Sequence, residues 1–542
     1  MNRAPVSSHP QPATAPGAPS PVPGQPGRMS HREVMEALSG LLLAMFVAML
    51  SSTIVSNALP RIVTDLDGSQ TGYTWVVVAT LLTMTATTPI WGKLADQFNK
   101  KILVQSALVI FSIGSVIAGF APTMEVLIGA RAIQGLGVGG LTALVQVVIA
   151  TMVPPRERGR YSGYIGAVFA MATISGPLVG GLLVDTVGWR WCFFFGIPVA
   201  LVAFVVLQKT LRIPVVRREV HIDYLGATLL VGGVSLLLVW VSLAGSQFAW
   251  ASTTSIALVL GGLVVVAAAL YVEMTVARDP IIPLRLFRDR TTSLATLASV
   301  LIGLAMFGAT VYLSQYFQLA RGMSPTKAGL MSVAMVGGLL VSSITSGRLI
   351  TKTGRWKNFL VGGMVFVIVG LVLLSTIDDT TSLWVVGAFM AILGLGLGAT
   401  MQNLVLAVQN NTSQADMGAA SAVVAFFRSM GGSVGVSALG AVLGHQVADE
   451  ISRGLARLGI EGGVGDTHQI PDLATLPEPV RVVVEHAFGV ATGHIFLVAA
   501  PFAVAALVAV LFIQEVPMRE TLEDEPREGE RLAPEATAVL ER

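Results

Sequence analysis

Residues 92–101 read GKLADQFNKK, a short charged segment between two long apolar stretches. A weaker echo, GRLITKTGRW, stands at 347–356. In a chain this hydrophobic, two copies of one hinge point to a duplicated bundle of membrane helices. Asp96 follows the second apolar stretch, with Lys100 and Lys101 beyond it. The echo has Thr351 where Asp96 would map, so it cannot supply the same charge.

The composition fits that reading. Of 542 residues, 53% are hydrophobic and 12% charged, with mean hydropathy +0.73. A soluble domain carries about 25% charged residues, so the hydrophobicity has to resolve into membrane spans. The net charge of +2 is too small to imply a nucleic-acid partner. The single Cys192 excludes an intrachain disulfide framework and a Cys-rich metal site, and reads as packing. There is no GxxxxGK[ST] and no TVGYG, so neither an ATP-driven pump nor a potassium filter is expected. GGSVG at 431–435 matches a nucleophile elbow in form only, because it lies in an apolar helix with no strand before it. No enzyme, metal or cofactor is expected.

Fourteen apolar runs can each cross a hydrocarbon core about 30 Å thick as helix. They lie near 37–59, 73–92, 102–121, 124–151, 160–184, 191–208, 225–245, 254–274, 293–318, 327–350, 358–376, 383–409, 417–444 and 493–514. With a cytoplasmic N-terminus, 25 of the 34 Lys and Arg fall on the inside and 7 on the outside. That bias sets the orientation and makes both termini cytoplasmic. The echo falls after the tenth span, where a six-helix repeat would put it after the eighth. Two extra helices must sit between the repeats. The expected fold is all-α and polytopic, with fourteen helices as 6+2+6. Its parts are a disordered tail at 1–36, a six-helix bundle at 37–208, and two inserted helices with linkers at 209–290. A second bundle follows at 291–514, including an external loop at 445–492, and then a tail at 515–542. A short amphipathic helix is expected near 478–492. Residues 1–30, rich in Pro, Ala, Ser and Gly, cannot bury a core. No cleaved signal or lipid anchor is expected at either end.

At this point the chain resembles the major facilitator superfamily, and in particular its 14-helix drug:proton antiporters of the EmrB/QacA type. The resemblance covers about 37–515. It implies a major facilitator fold in the bacterial inner membrane, with alternating access between two bundles. In that family the hinge acid bridges the bundles on the cytoplasmic face, which here sets Asp96 against the start of the thirteenth span, near Met417. RAIQGLGVGG at 131–140 resembles the helix-4 signature, whose arginine, here Arg131, is linked to proton coupling. A buried guanidinium is costly, so it should face protein or a wet cavity. Gln134, Thr142 and Gln146 fall near the same helical face and extend a polar stripe. GPLVGG at 176–181 resembles the exporters' signature. There Gly176 and Gly180 admit a neighbouring helix, and Pro177 lets the helix bend. GAASAVVAFFRSMGGSVG at 418–435 puts Arg428 roughly 16 Å into its helix. WRWCFFFGIP, IDYLGATLL and PLRLFRDR, starting at 189, 222 and 283, agree with the same family.

One departure bears on the substrate. The family often reads Leu-Asp-x-Thr-Ile-Val in helix 1, and this chain reads Leu50-Ser51-Ser52-Thr53-Ile54-Val55. Ser51 carries neither charge nor proton, and no Asp or Glu lies near the middle of any span. Asp185, Glu125, Asp96 and His445 remain as proton sites by elimination. By family analogy the first, fourth, ninth and twelfth spans line a cavity at the bilayer midplane. Ser51, Gln134, Gln146, Tyr312, Gln315, Tyr316, Gln402 and Asn403 are its expected polar lining. The expected partners are an amphipathic small molecule, protons and the lipid bilayer, with the chain a monomer. The expected activity is export of drug-like molecules against protons, with consequences for antibiotic resistance. A dedicated exporter of one metabolite, or a non-transporting sensor on the same fold, are the alternatives.

Overall fold

The structure is a computed structural model that describes residues 31–67, 70–211, 223–244, 248–276, 280, 282–413, 416–458 and 477–518. Residues 1–30 and 519–542 of the expected tails, 212–222 of the linker and 459–476 of the external loop lie outside the described residues. Sixteen α-helices follow in order: α1 His31–Asp65, α2 Gln70–Gln97, α3 Lys100–Gly119, α4 Met124–Met152, α5 Pro155–Thr186, α6 Trp191–Phe194, α7 Gly196–Thr210 and α8 Tyr224–Leu243. Then come α9 Thr253–Thr275, α10 Arg290–Gln315, α11 Pro325–Met331, α12 Val333–Thr353, α13 Lys357–Leu374, α14 Leu383–Asn411, α15 Met417–Arg457 and α16 Glu478–Leu511. Among the described residues there is no strand, only one isolated bridge, Ala244 to Phe248.

Among the described residues, thirteen helical stretches are long and apolar enough to cross a membrane. The remaining expected span, 225–245, is α8, whose apolar part Leu225–Val241 is shorter. Local chemistry sets the helix ends. Asn99 caps α3 by accepting from Lys101 N, and Thr123 and Asp289 cap α4 and α10 in the same way. Gly354, at φ +71, ends α12 in the left-handed conformation that glycine adopts without strain.

The duplication is visible in the packing. In the first half α2 and α3 pack on α4, while α5 and α7 pack on α1. In the second half α12 and α13 pack on α14, while α15 and α16 pack on α10. The correspondence of α1 with α10, α2 with α12, α4 with α14 and α5 with α15 follows. The halves meet at two crossings that this correspondence exchanges, α2 with α15 and α5 with α12. Leu41, Phe111 and Leu144 belong to the core of the first half, and Ile302, Phe317, Met390 and Phe496 to that of the second. The inserted pair α8–α9 docks through α8 onto both α2 and α15, burying Leu230, Val234 and Leu238 against Ala86, Val423 and Phe426. The far side of α9 leaves Leu260, Leu263, Val264 and Tyr271 exposed, as a lipid-facing surface requires.

Several boundaries differ from expectation. α1 begins at His31, ahead of 37, with Arg32 paired to Glu36 one turn on. α2 runs on to Gln97, so the hinge is only Phe98 and Asn99, and Asp96 sits in the last helical turn rather than in a loop. The expected loop at 445–492 is much shorter. α15 continues to Arg457, and 478–492 are the first turns of α16 rather than a separate helix. Val447, Ile451 and Leu455 recur every fourth residue and are buried, while the other face is polar. Averaged hydropathy drops along such a stretch although one face still packs.

Candidate functional site

Asp96 spans the α2–α15 crossing. Its Oδ1 accepts from Gly418 N at 2.8 Å and its Oδ2 from Ala419 N at 3.0 Å. Those N–H groups lie in the first turn of α15, where no intrahelical acceptor exists and the helix dipole is positive. The α15 N-cap, Asp416, makes no side-chain capping bond, so the cap comes from the opposite half. Contact this close needs two glycines. A Cβ on Gly92 would lie 2.2 Å from Ala422 Cβ, and one on Gly418 would lie 2.3 Å from Gly92 O. Lys101 turns away from the crossing and donates to Gln208 O at 2.7 Å, tying α3 to α7. Lys100 lies at the start of α3 and adds its positive field at Asp96.

Two further links cross between the halves. Arg158 at the start of α5 is 1% exposed. It donates to Ala150 O at 2.6 Å, Val153 O at 2.8 Å and, in the other half, Gln409 Oε1 at 3.3 Å. Gln409 in turn donates to Ser421 on α15. On the sequence, Arg158 counted only as one of the positive charges beside a span. Nothing local marked it: its acceptors are carbonyls at the end of α4, which every helix end leaves unpaired, and Gln409, distant in sequence. Midway along the helices, Gln146 Nε2 on α4 donates to Gln402 Oε1 on α14 at 2.8 Å. The Asp96 and Arg158 links lie at the end that carries the hinge, so the halves are joined there, with the Gln146–Gln402 link farther in.

The polar stripe expected on α4 divides. Arg131 Nη1 donates to Gln134 Oε1 at 2.8 Å and its Nε to Val76 O at 3.4 Å, while Gln134 donates to Ser115 on α3 at 2.7 Å. Arg131 and Gln134 are therefore satisfied inside the first half, whereas Gln146 faces the second. Twelve residues of helix turn Gln146 roughly 120° away from Gln134. Thr142 bonds to its own helix at Val138 O and Gly139 O.

The expected cavity tyrosines are core residues. Tyr312 donates to Val436 O and Tyr316 to Asp378 O, and both are buried in the second half. Aromatic rings with one polar tip pack this way when a carbonyl is within reach. Gln315 between them is half-buried. Asn403 donates to Ala399 O at 2.7 Å and, more weakly, to Ser346 Oγ, so it joins α14 to α12. Ser51 is buried at 4% exposure, and its Oγ has no hydrogen-bond partner among the described residues. Gly176 and Gly180 bring α5 onto α1. A Cβ on Gly176 would lie 2.2 Å from Thr53 Oγ1, and Thr53 donates to Ala172 O at 3.2 Å. Pro177 lies inside α5, and its side chain is outside the described residues. Arg428 is half-buried on α15, with Nη1 sealed and without a hydrogen-bond partner among the described residues.

Of the expected proton sites, Glu125 is exposed in the first turn of α4 and His445 is exposed on α15. The side chain of Asp185 lies outside the described residues. Far from the hinge, His486 Nδ1 stands 2.7 Å from Asp379 Oδ1, and Arg321 donates to Asp379 O. Next to it, partial burial works to raise the Asp378 carboxyl, but hydrogen bonds from Thr381 and Thr380 outweigh this and hold it below its ordinary value. No cluster of metal-ligating side chains occurs among the described residues. An apolar groove of about 390 Å³ opens between α3 and α7, lined by Val109, Ile113, Leu201 and Phe204 among others, on the flank and not between the halves.

Two pseudo-symmetric helical halves, joined at one end by a carboxylate on a helix N-terminus, define a membrane transporter. The sequence model of the Major Facilitator Superfamily matches residues 41–436, and the chain belongs to that family. It is 36% identical over 418 residues to the multidrug transporter protein MdtP of Bacillus subtilis, covering 77% of this chain and 76% of that one. It is 35% identical over 503 residues to the efflux pump dotC of Dothistroma septosporum, covering 90% of this chain and 85% of that one. Its fold is similar to that of the proton:xylose symporter XylE, with TM-score 0.58 at 14% identity, covering 91% of this chain and 99% of that one.

Proposed function

We propose that this chain is a secondary active efflux transporter of the bacterial plasma membrane. It exports amphipathic drug-sized molecules in exchange for protons, by alternating access, and works as a monomer without a cofactor. The observation that carries this reading is the Asp96 link between α2 and α15. A polar link between halves at the hinge end is what a rocking bundle needs, because it stabilises one state against the other. With both termini cytoplasmic, the hinge end faces the cytoplasm and the described state is closed there. Protonation of Asp96 removes the charge held at the α15 N-terminus and weakens the lock, which couples a proton to the gate. Arg131, enclosed by α2, α3 and α4, holds the first half in shape for that motion. Names of relatives such as multidrug transporter and efflux pump support export, as does the close α1–α5 contact at Gly176.

The test is flux in proteoliposomes, with and without a proton gradient, for chemically unrelated drug pairs. Gradient-driven export of several classes is expected. Flux of one compound class alone would move the reading to a dedicated exporter. Binding with no flux of any kind would leave a sensor.

A further inference from the structure

Two arginines lie deep in the membrane-spanning part, and their surroundings differ. Arg131 has Gln134 Oε1 and Val76 O as acceptors. Arg428 Nη1 is buried, with no hydrogen-bond partner among the described residues. A guanidinium keeps its charge and has five donors to satisfy, so a sealed donor without an acceptor is costly. The chain has no carboxylate to bring to it, because no Asp or Glu lies near the middle of a span. A lipid phosphate does not reach it either. Arg428 is roughly 16 Å along α15 from the hinge end, about half the thickness of a hydrocarbon core. The place is open to an acceptor that arrives with a ligand.

A second group points to the same place. Thr296 on α10 is 4% exposed, and its Oγ1 has no hydrogen-bond partner among the described residues. α10 and α15 pack with Val300 against Gly431, Leu304 against Gly435 and Gly308 against Leu439. Continuing that register one turn toward the hinge end sets Thr296 opposite Phe427, the neighbour of Arg428. On α15, Arg428 shares a face with Ser421, two turns earlier, and Ser421 meets Gln409 of α14. Arg428 and Thr296 therefore stand on the two helices of one packed pair, Arg428 O against Gly303 and Thr296 about two turns nearer the hinge end, the direction in which a helical side chain leans.

We propose that Arg428 and Thr296 form a subsite for a single anionic group, a carboxylate or sulfonate, on an amphipathic substrate. Among the molecules this chain exports, those with one anionic group are then favoured. The charge pairs with the guanidinium, the threonine hydroxyl donates to the same group, and the apolar body lies along the helices. Ser51 on α1 fits the assignment, since an acid there would repel such a substrate. The inference rests on the transport reading for its purpose but is measured separately from it.

The experiment is equilibrium binding to the purified full-length protein in lipid nanodiscs. The probes are radiolabelled 1-naphthaleneacetate and its neutral amide, 1-naphthaleneacetamide. The acid is expected to bind at least about tenfold tighter than the amide, as a charge-assisted pair provides. Arg428→Gln is expected to erase that preference and Arg428→Lys to keep part of it. Thr296→Val is expected to weaken the acid about tenfold and leave the amide unchanged, the share of one hydrogen bond to a charged group. An acid that binds no tighter than the amide overturns the inference, and so does a preference that survives in folded Arg428→Gln. Where the glutamine variant does not fold, unchanged acid binding in Thr296→Val overturns it. Flux of the amide with no acid preference leaves the transport reading standing and removes this one. Acid preference with no flux of either probe does the reverse.

Discussion

The hinge at 92–101 and its echo at 347–356 sit at crossings related by the duplication, and they do opposite things. At the first, Asp96 of α2 reaches the other half and caps α15. At the second, Thr351 of α12 turns its hydroxyl back to Gly347 O, 2.9 Å away in its own helix. The receiving helix ends differ as well. The second and third residues of α15 are Gly418 and Ala419, small enough for a carboxylate to approach. Those of α5 are Arg156 and Glu157, and α5 opens with Pro155, which has no N–H to offer. The echo has its own carboxylate on a helix N-terminus, but from within its half. Glu515 Oε1 accepts from Trp356 N at 2.8 Å and Lys357 N at 3.1 Å, and Trp356 Nε1 donates to Val516 O. One device thus closes a gate at the first hinge and fastens a chain end at the second. Duplication kept the backbone geometry, and the placement of one charge decided which crossing can be released.

The comparison breaks most readily at Asp96. Asp96→Asn is expected to remove about 1.5–3 kcal/mol from the closed state, roughly a 10- to 150-fold change in the ratio of closed to open. Distance measurements between spin labels on the two hinge ends would read that shift, and an unchanged distribution would remove Asp96 from the gate. Gly418→Ala comes next. Its Cβ meets Gly92 O and Asp96 Oδ1, and overpacking of about 1–3 kcal/mol should hold the same end ajar by roughly 5- to 150-fold. Glu515→Gln should act on stability alone. A loss of about 0.3–1 kcal/mol is expected for a carboxylate at an exposed helix start, seen as a lower melting temperature with proton-driven flux unchanged. Altered flux there would mean that the second hinge also moves. The smallest effect is expected for Thr351→Asp. With Arg156 and Glu157 at the facing helix start, a carboxylate gains no cap, and the closed fraction should change by less than about 0.5 kcal/mol. A clear rise would show that charge alone, without small residues opposite, makes a lock.

Much of this fold was legible because membrane spans are written in runs of apolar residues and the hinge repeats as a recognisable string. The position of Asp96 opposite Met417 was legible from a motif resemblance. That Asp96 is helical was not, because a charged turn at the end of a span looks like a loop. Arg158 was missed because burial by neighbours distant in sequence leaves no local sign. Gln134 and Gln146 were placed on one face by approximate spacing, and the error of a helix turn accumulates over three turns. Tyr312 and Tyr316 have the composition of a ligand pocket, and only the carbonyls of Val436 and Asp378 show them to be core. Arg428 could be placed in depth from the sequence, but that its Nη1 has no hydrogen-bond partner among the described residues is a property of the packed helices.

One consequence of the length of α15 remains. At 41 residues it is roughly 60 Å long, about twice the hydrocarbon thickness. Its first turn is held by Asp96, and its last turns lie against α16, where Gly454 lets Val483 approach. Packed along α10 and α16, it moves as one stiff rod with its half. A tilt of about 10° at its held end moves the far tip by about 10 Å, so the setting of the lock on one face of the membrane is displayed as a displacement on the other.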